Sequence, residues 1–480
     1  MPQITRRDLL RFAPLGAAAV WTTGSRSQVL GANSDIRVAV IGFGGRGRDH
    51  ISGLGSVPGV RLTALCDVDS RILEATAKRL KEKNPSLETY TDVRKLLESK
   101  NVDAVSIATP NHWHSLGAIW AIQAGKDVYL EKPISHNVSE GRRVVEYARK
   151  HKKIVQAGTQ SRSSVTGIKE AVAWVRAGNL GRIKVSRALC YKRRDTIGKV
   201  DGPQTVPAEI DYDLWCGPAL KLPLTRKRLH YDWHWVWNTG NGDLGNQGIH
   251  EMDVARWFLG EMALSPRIFS LGGRVGYTDD GETPNTQLIL HDYPAAPLIF
   301  EVRGLPSKSG VREMDKYKGA DIGIVIECEG GHVTVPSYTS AAAFDKEGKK
   351  IKEWKGTSSH YENFIKAVRS RNVADLNADV LEGHLSSALC HTGNISYLLG
   401  KKCSPDEVKA RIKSEKGMEE AYARMLEHLA ANGVDIAKEN LTVGMPLQMD
   451  PRKEKFKGNK KADELLTRPY RPGFVVPRKA

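Results

Sequence analysis

A chain of 480 residues, 40% of them hydrophobic, is too long for one ordinary core and too apolar for wholesale disorder, so two domains with appendages are expected. The formal net charge of +17 is dispersed, without zinc spacing or an arginine-rich block, which argues against nucleic acid as a partner. Six well-separated cysteines with no C-x-x-C indicate neither a disulfide framework nor a metal site.

Residues 1–32 read as an export signal. Thr5-Arg6-Arg7-Asp8-Leu9-Leu10 precedes a modest apolar run at 12–21 and then a Ser/Thr/Gly-rich stretch. Paired arginines before a run too short to span a bilayer fit a twin-arginine leader, with a disordered basic tail as the alternative. The leader predicts use of the twin-arginine export machinery and a periplasmic or otherwise exported location.

From 35 to 158 short apolar runs alternate with helical periodicity. Strands are expected at 36–41, 61–67, 104–109, 127–131 and 154–158, and helices at 72–83, 93–100, 112–124 and 139–152. This alternation predicts a doubly wound parallel sheet with ligands at the C-terminal strand ends. The first strand runs into Gly42-Phe43-Gly44-Gly45-Arg46-Gly47, and Asp67 closes the second strand about 20 residues later. Gly42 makes the tight turn, Gly44 admits a pyrophosphate, and Gly47 lets helix and strand pack closely. The helix N-terminus offers unpaired N–H groups to phosphates. Asp67 suits a ribose 2′-OH and repels a 2′-phosphate, so NAD is expected over NADP.

Past 158 the texture changes to a second, largely antiparallel sheet, with strands at 183–190, 268–275, 286–291, 298–303 and 322–327. Helices are expected at 165–177, 249–259, 361–370 and 385–399. Residues 159–400 read as a second domain, and 401–480 as a helical extension (405–432) followed by a surface tail. The basic runs at 192–194 and 451–461 read as solvated surface, an anionic substrate or envelope surface being the other reading.

Three clusters carry chemistry. Glu131-Lys132-Pro133 ends the fifth strand, where nicotinamide is expected, and a lysine held there can orient a substrate hydroxyl. Thr109-Pro110-Asn111-His112-Trp113-His114 fills the turn one strand earlier, where Asn111 or His114 can reach the cofactor. A Gly-rich loop with Asn246 leads into Gly248-Ile249-His250-Glu251-Met252-Asp253, placing His250 in the first helical turn with Asp253 on its face. That end of a helix favours neutral imidazole, the proton-accepting state, although a buried structural histidine is the ordinary alternative. Trp233, Trp235 and Trp237 alternate with His234 and Val236. On a strand they would share a face and wall a sugar ring, or else pack in the core.

Together these motifs resemble the Gfo/Idh/MocA oxidoreductases, a family that includes glucose–fructose oxidoreductase and inositol dehydrogenase. The resemblance covers roughly residues 36–400. It implies a Rossmann domain, then an α/β substrate and oligomerisation domain at 159–400 whose open sheet face supports dimers or tetramers, and hydride exchange with a sugar or polyol. It assigns Lys132 to orienting substrate and His250 to accepting the proton. Gly42, Phe43, Gly44, Gly47, Asp67, Thr109, Pro110, Asn111, His114 and Glu131 are then the expected cofactor contacts. Asn246, Asp253, Trp235 and Trp237 join Lys132 as the expected substrate contacts. Asn246 stands where many members have aspartate, and an amide cannot stabilise an imidazolium by charge. The leading reading is an exported oxidoreductase with tightly bound NAD. The alternatives are an NAD-dependent glycoside hydrolase working by transient oxidation and elimination, and a non-catalytic sugar-binding relative.

Overall fold

The computed structural model describes residues 35–415 and 417–480; the export signal read at 1–32 lies outside the described residues. Strands β1 (Ile36–Ile41), β2 (Val60–Cys66), β3 (Glu88–Tyr90), β4 (Ala104–Ile107), β5 (Asp127–Leu130) and β6 (Val155–Ala157) form a six-stranded sheet ordered β3-β2-β1-β4-β5-β6. Every pairing is parallel. The central strands are buried on both faces, which is why they read as continuous apolar runs rather than alternating ones. Leu116, Ile119, Val144 and Ala148, from helices Asn111–Gln123 and Val138–Lys150, pack one face. Ile51, Leu54 and Leu73 pack the other, joined by Phe364 and Val368 of the helix His360–Ser370. That helix, read with the second domain, thus completes the first.

The second sheet is twelve-stranded and mostly antiparallel. Its principal strands are β7 (Ile183–Tyr191), β8 (Arg267–Gly273), β9 (Thr286–His291), β10 (Leu298–Arg303), β11 (Ile322–Cys328), β12 (Gly331–Val335), β13 (Ser340–Phe344) and β14 (Lys350–Lys355). They lie in the order β14-β13-β12-β11-β7-β10-β9-β8, with only β7 and β10 parallel among these. Helices Gly248–Leu259 and Val380–Leu398 cover one face through Ile249, Met252, Phe258, Leu385 and Leu389. Among the described residues no helix is long and apolar enough to cross a membrane.

Two expectations are corrected. Residues 233–237 do not form a strand: the helix Leu229–Asp232 runs into a tight helical turn at Trp233–Trp235, so the three indoles share no strand face. Residues 401–480 are more than a helical extension and surface tail. Helices Pro405–Ile412 and Met418–Ala431 bury Val408, Ile412, Met425 and Leu429 against Phe269, Leu271 and Leu290 on the second sheet's other face. Thr442–Val443 and Leu447–Asp450 then pair with β8, and Phe474 packs edge-on against Trp113 of the first domain. Lysines and prolines hide this apolar content from a reading of composition.

Candidate functional site

A cavity of about 480 Å³ opens at the C-terminal ends of β1, β4 and β5, within the range of small-molecule and cofactor sites. Its far wall comes from the segments after β7, around 230–234, and at 246–247. This is where a doubly wound sheet binds ligands.

The glycine turn is built by sterics. Gly42 adopts φ +76°, and a Cβ there would lie 2.9 Å from the Thr109 nitrogen. A Cβ on Gly47 would sit 2.0 Å from the Gly42 carbonyl oxygen, so only glycine lets the helix Gly47–Gly55 start so close to β1. Gly44 and Gly45 line the cavity. Asp67 also lines it, nearly buried; its carboxylate accepts the Phe43 N–H at 2.9 Å and the Asp69 N–H at 3.1 Å. Burial raises the pKa of Asp67, against the pull of those hydrogen bonds. Thr109 Oγ1, on the same wall, is enclosed with no hydrogen-bond partner. A backbone-lined cradle, an acid beyond it and an unsatisfied hydroxyl fit a dinucleotide.

The other expected cofactor residues divide. Pro110 and Asn111 line the cavity, and Asn111 donates to the Asn241 side chain at 3.1 Å, tying the two domains together. The Phe43 side chain is fully buried in the core, so only its backbone belongs to the turn. His114 reaches the wall, but its ring bridges the Pro133 carbonyl (2.5 Å) and the Thr109 carbonyl (2.8 Å), which makes it a brace between two strand ends. Glu131 is held by His50 Nε2 at 2.9 Å and Arg46 Nε at 3.1 Å. His50 in turn contacts Ser106 Oγ at 2.6 Å, an anchor the sequence reading missed.

Lys132 crosses the cleft. Its Nζ donates to the Asn246 backbone carbonyl at 2.9 Å, and both residues line the cavity. Burial lowers the pKa of its ammonium, with neighbouring Glu131 pulling the other way. His250 sits one helical turn behind Asn246 and Gln247, off the cavity wall, its ring 4.8 Å from that of Tyr338 and its Nδ1 enclosed without a partner. Burial and the Lys132 charge hold this imidazole well below its ordinary pKa, hence neutral.

Three expected substrate contacts are corrected. Asp253 is fully buried and accepts from Arg162 Nε at 2.8 Å and Ser386 Oγ at 2.7 Å, an internal clamp that does not line the cavity. Trp235 is buried with the Arg194 guanidinium 5.1 Å above its ring, and Trp237 is half-buried; neither lines the cavity. Trp233 and His234 do. The His234 Nδ1–H donates to the Tyr231 carbonyl at 2.6 Å, leaving Nε2 as the lone-pair nitrogen, and burial lowers its pKa to about 3. Lys192 and Arg194, read as solvated surface, line the cavity as well: Lys192 Nζ donates to Gln247 Oε1 at 2.8 Å, and Arg194 grips Asp243 through two bonds at 2.6 and 2.7 Å.

Residues 36–159 match the Gfo/Idh/MocA model described as an oxidoreductase family with an NAD-binding Rossmann fold, and residues 161–280 match the C-terminal alpha/beta domain of the same family. The chain belongs to the Gfo/Idh/MocA oxidoreductase family. Its first domain is an NAD-binding Rossmann domain. A "Glycosyl hydrolase family 109 protein" of Solibacter usitatus is 35% identical over 154 residues, covering 29% of this chain and 35% of that protein. An "Alpha-N-acetylgalactosaminidase" of Shewanella oneidensis is 32% identical over 123 residues, covering 25% of this chain and 27% of that one. The chain thus spans about a third or less of the length of these curated relatives. Among solved structures, the WlbA dehydrogenase of Bordetella pertussis in complex with NADH and UDP-GlcNAcA shares the fold. It has a TM-score of 0.54 at 22% identity, over 74% of this chain and 94% of that one. GenD2 from gentamicin A biosynthesis, in complex with NAD, gives 0.52 at 18% identity, over 79% and 95%.

Asp67 yields a direct expectation. NAD should bind about 100-fold more tightly than NADP, because a 2′-phosphate meets a like charge. Asp67→Ser should shrink that ratio to about tenfold or less while weakening both nucleotides, since the carboxylate also fastens the Phe43 turn. Fluorescence titration with both reduced nucleotides measures the ratio, and equal affinities in the unmodified protein would contradict the assignment.

Proposed function

We propose that the chain is an NAD-dependent oxidoreductase exchanging a hydride with a carbinol carbon of a sugar, inositol or related polyol. The observation that carries this reading is Lys132, held at the end of β5 with its ammonium bridging the cleft to Asn246. NAD, when bound, supplies the hydride-accepting ring. Thr109 and Asp67 would hold the nucleotide, with the backbone of Gly44 and Gly45. Lys132 uses one N–H on the Asn246 carbonyl and keeps two for a substrate hydroxyl oxygen. His250 is the proton acceptor in this reading, lying behind the wall next to Tyr338, whose hydroxyl accepts from the Gln247 amide at 3.0 Å. His234, already on the wall with a free Nε2, is the competing base.

The variants separate them. His250→Ala should lower kcat about 100- to 1000-fold and recover in part as pH rises, because hydroxide can then take the proton. Loss and recovery in His234→Ala instead would move the role to that ring.

The glycosidase reading is kept because curated relatives carry that name. Nitrophenyl glycoside cleavage without net NADH would favour it, whereas sugar oxidation matched by NADH supports the oxidoreductase. Sugar binding with neither activity would leave a binding protein. Export through the twin-arginine leader, with NAD already bound, and assembly as a homo-oligomer belong to the same proposal.

A further inference from the structure

The cavity wall carries four basic side chains against three carboxylates, Asp67, Asp92 and Glu131. Three of the basic side chains, Lys132, Lys192 and Arg194, lie outside the glycine turn, and the fourth, Arg46, belongs to it. The carboxylates are already engaged. On the wall, Glu131 takes Arg46 and His50, Asp92 takes Arg94, and Asp67 accepts the Phe43 and Asp69 N–H groups; behind the wall, Asp243 takes both arms of Arg194. Glu251, which accepts from Gln247 at 3.2 Å, is buried and pushed up to about 8, so it keeps its proton near neutrality. The two lysines are left on neutral acceptors: Lys132 on the Asn246 carbonyl and Lys192 on the Gln247 amide oxygen.

Lys132 has the Glu131 carboxylate beside it, but the Lys192 ammonium rests on an amide oxygen with no carboxylate bonded to it, so the positive potential left over centres on Lys192. The cofactor phosphates do not account for it. The glycine cradle for them lies at the start of the helix Gly47–Gly55, whereas Lys192 hangs from Gln247, next to the Asn246 carbonyl that takes Lys132. Lys192 owes its place to topology: it directly follows Tyr191, the last residue of β7, and its backbone N–H bonds the Arg303 carbonyl at 3.0 Å. The strand end, rather than solvent, therefore directs the side chain.

We propose that the substrate is an anionic saccharide whose carboxylate or phosphate is bound by Lys192 in the field of Lys132. Lys192 is then the residue that selects charged over neutral sugars. The inference rests on the oxidoreductase reading for its choice of sugar, but binding tests it apart from turnover.

The NAD-loaded full chain is titrated calorimetrically with glucose, glucuronate and glucose 6-phosphate, and with the corresponding galactose series. In at least one series an acid should bind about tenfold or more tighter than its neutral parent, with the gap narrowing as salt rises. The uronate and phosphate arms tell which anion is the ligand. Lys192→Met should bring acid and parent to within about twofold of each other. Neutral parents binding as well as the acids would overturn the proposal, as would no binding in either series, or a Lys192→Met variant that weakens acid and parent equally. Hydride exchange is read on the same samples. An acid that binds by Lys192 yet exchanges no hydride would sustain the anion site and count against the oxidoreductase reading. A neutral sugar that binds and turns over best would do the reverse.

Discussion

Lys132→Ala is expected to lower kcat/KM by about 10³-fold or more while NAD affinity stays within a few-fold, because the lysine faces substrate rather than the phosphate cradle. The residue is fixed at both ends. Its backbone N–H donates to Glu131 Oε2 at 3.1 Å, and its Nζ reaches the Asn246 carbonyl at 2.9 Å. Alanine removes the donor to the reacting oxygen and the bridge between domains, and the two losses can be told apart. A loss of domain registry would weaken NAD and lower thermal stability; a loss of chemistry alone would leave both near their original values. Steady-state kinetics beside a nucleotide titration make the test, and turnover retained within about tenfold would remove Lys132 from the reaction.

Gly47→Ala should be the most damaging single methyl group in the first domain. The new Cβ would lie 2.0 Å from the Gly42 carbonyl oxygen and 2.9 Å from its carbon, and backbone atoms there cannot rotate aside. The helix must shift away from β1, at a cost of about 3 kcal/mol, and the phosphate cradle shifts with it. NAD affinity should fall at least about 30-fold, since the cradle depends on the helix N-terminus. Gly45→Ala is the matched control: its Cβ would meet nothing within 4 Å, so protein stability should hold. Thermal unfolding with and without NAD checks both. A Gly47→Ala protein of normal stability that is still raised normally by NAD would contradict the packing argument.

How far the sequence could be read follows from burial. Strands enclosed on both faces, such as β1 and β10, announce themselves as apolar runs, and their bounds agree with the structure. β3 and β14 do not. Glu88–Tyr90 is a half-buried edge of three residues, and Lys350–Lys355 exposes all but Trp354, so pairing rather than composition makes them strands. The helix Gly248–Leu259 is buried on nearly every side, so the shared face of His250 and Asp253 could not say which of them meets a ligand. Asp253 turned inward to Arg162. Lys192 and Arg194 failed for the converse reason. A basic run looks the same beside water or a cavity, and only the placement of β7 against the first domain decides. The alternating tryptophans misled because alternation signals a strand only where the backbone extends, and here it coils.

The most direct test of the account follows a deuteron. Glucose, glucuronate and inositol, each deuterated at its carbinol carbons, are incubated with the purified chain, and the nucleotide is released by denaturation and weighed. The account predicts a nicotinamide nucleotide carrying one deuteron with at least one of these compounds, and label appearing about 10³-fold more slowly in the Lys132→Ala variant. Unlabelled nucleotide with every compound, from protein that binds them and holds NAD, would contradict it.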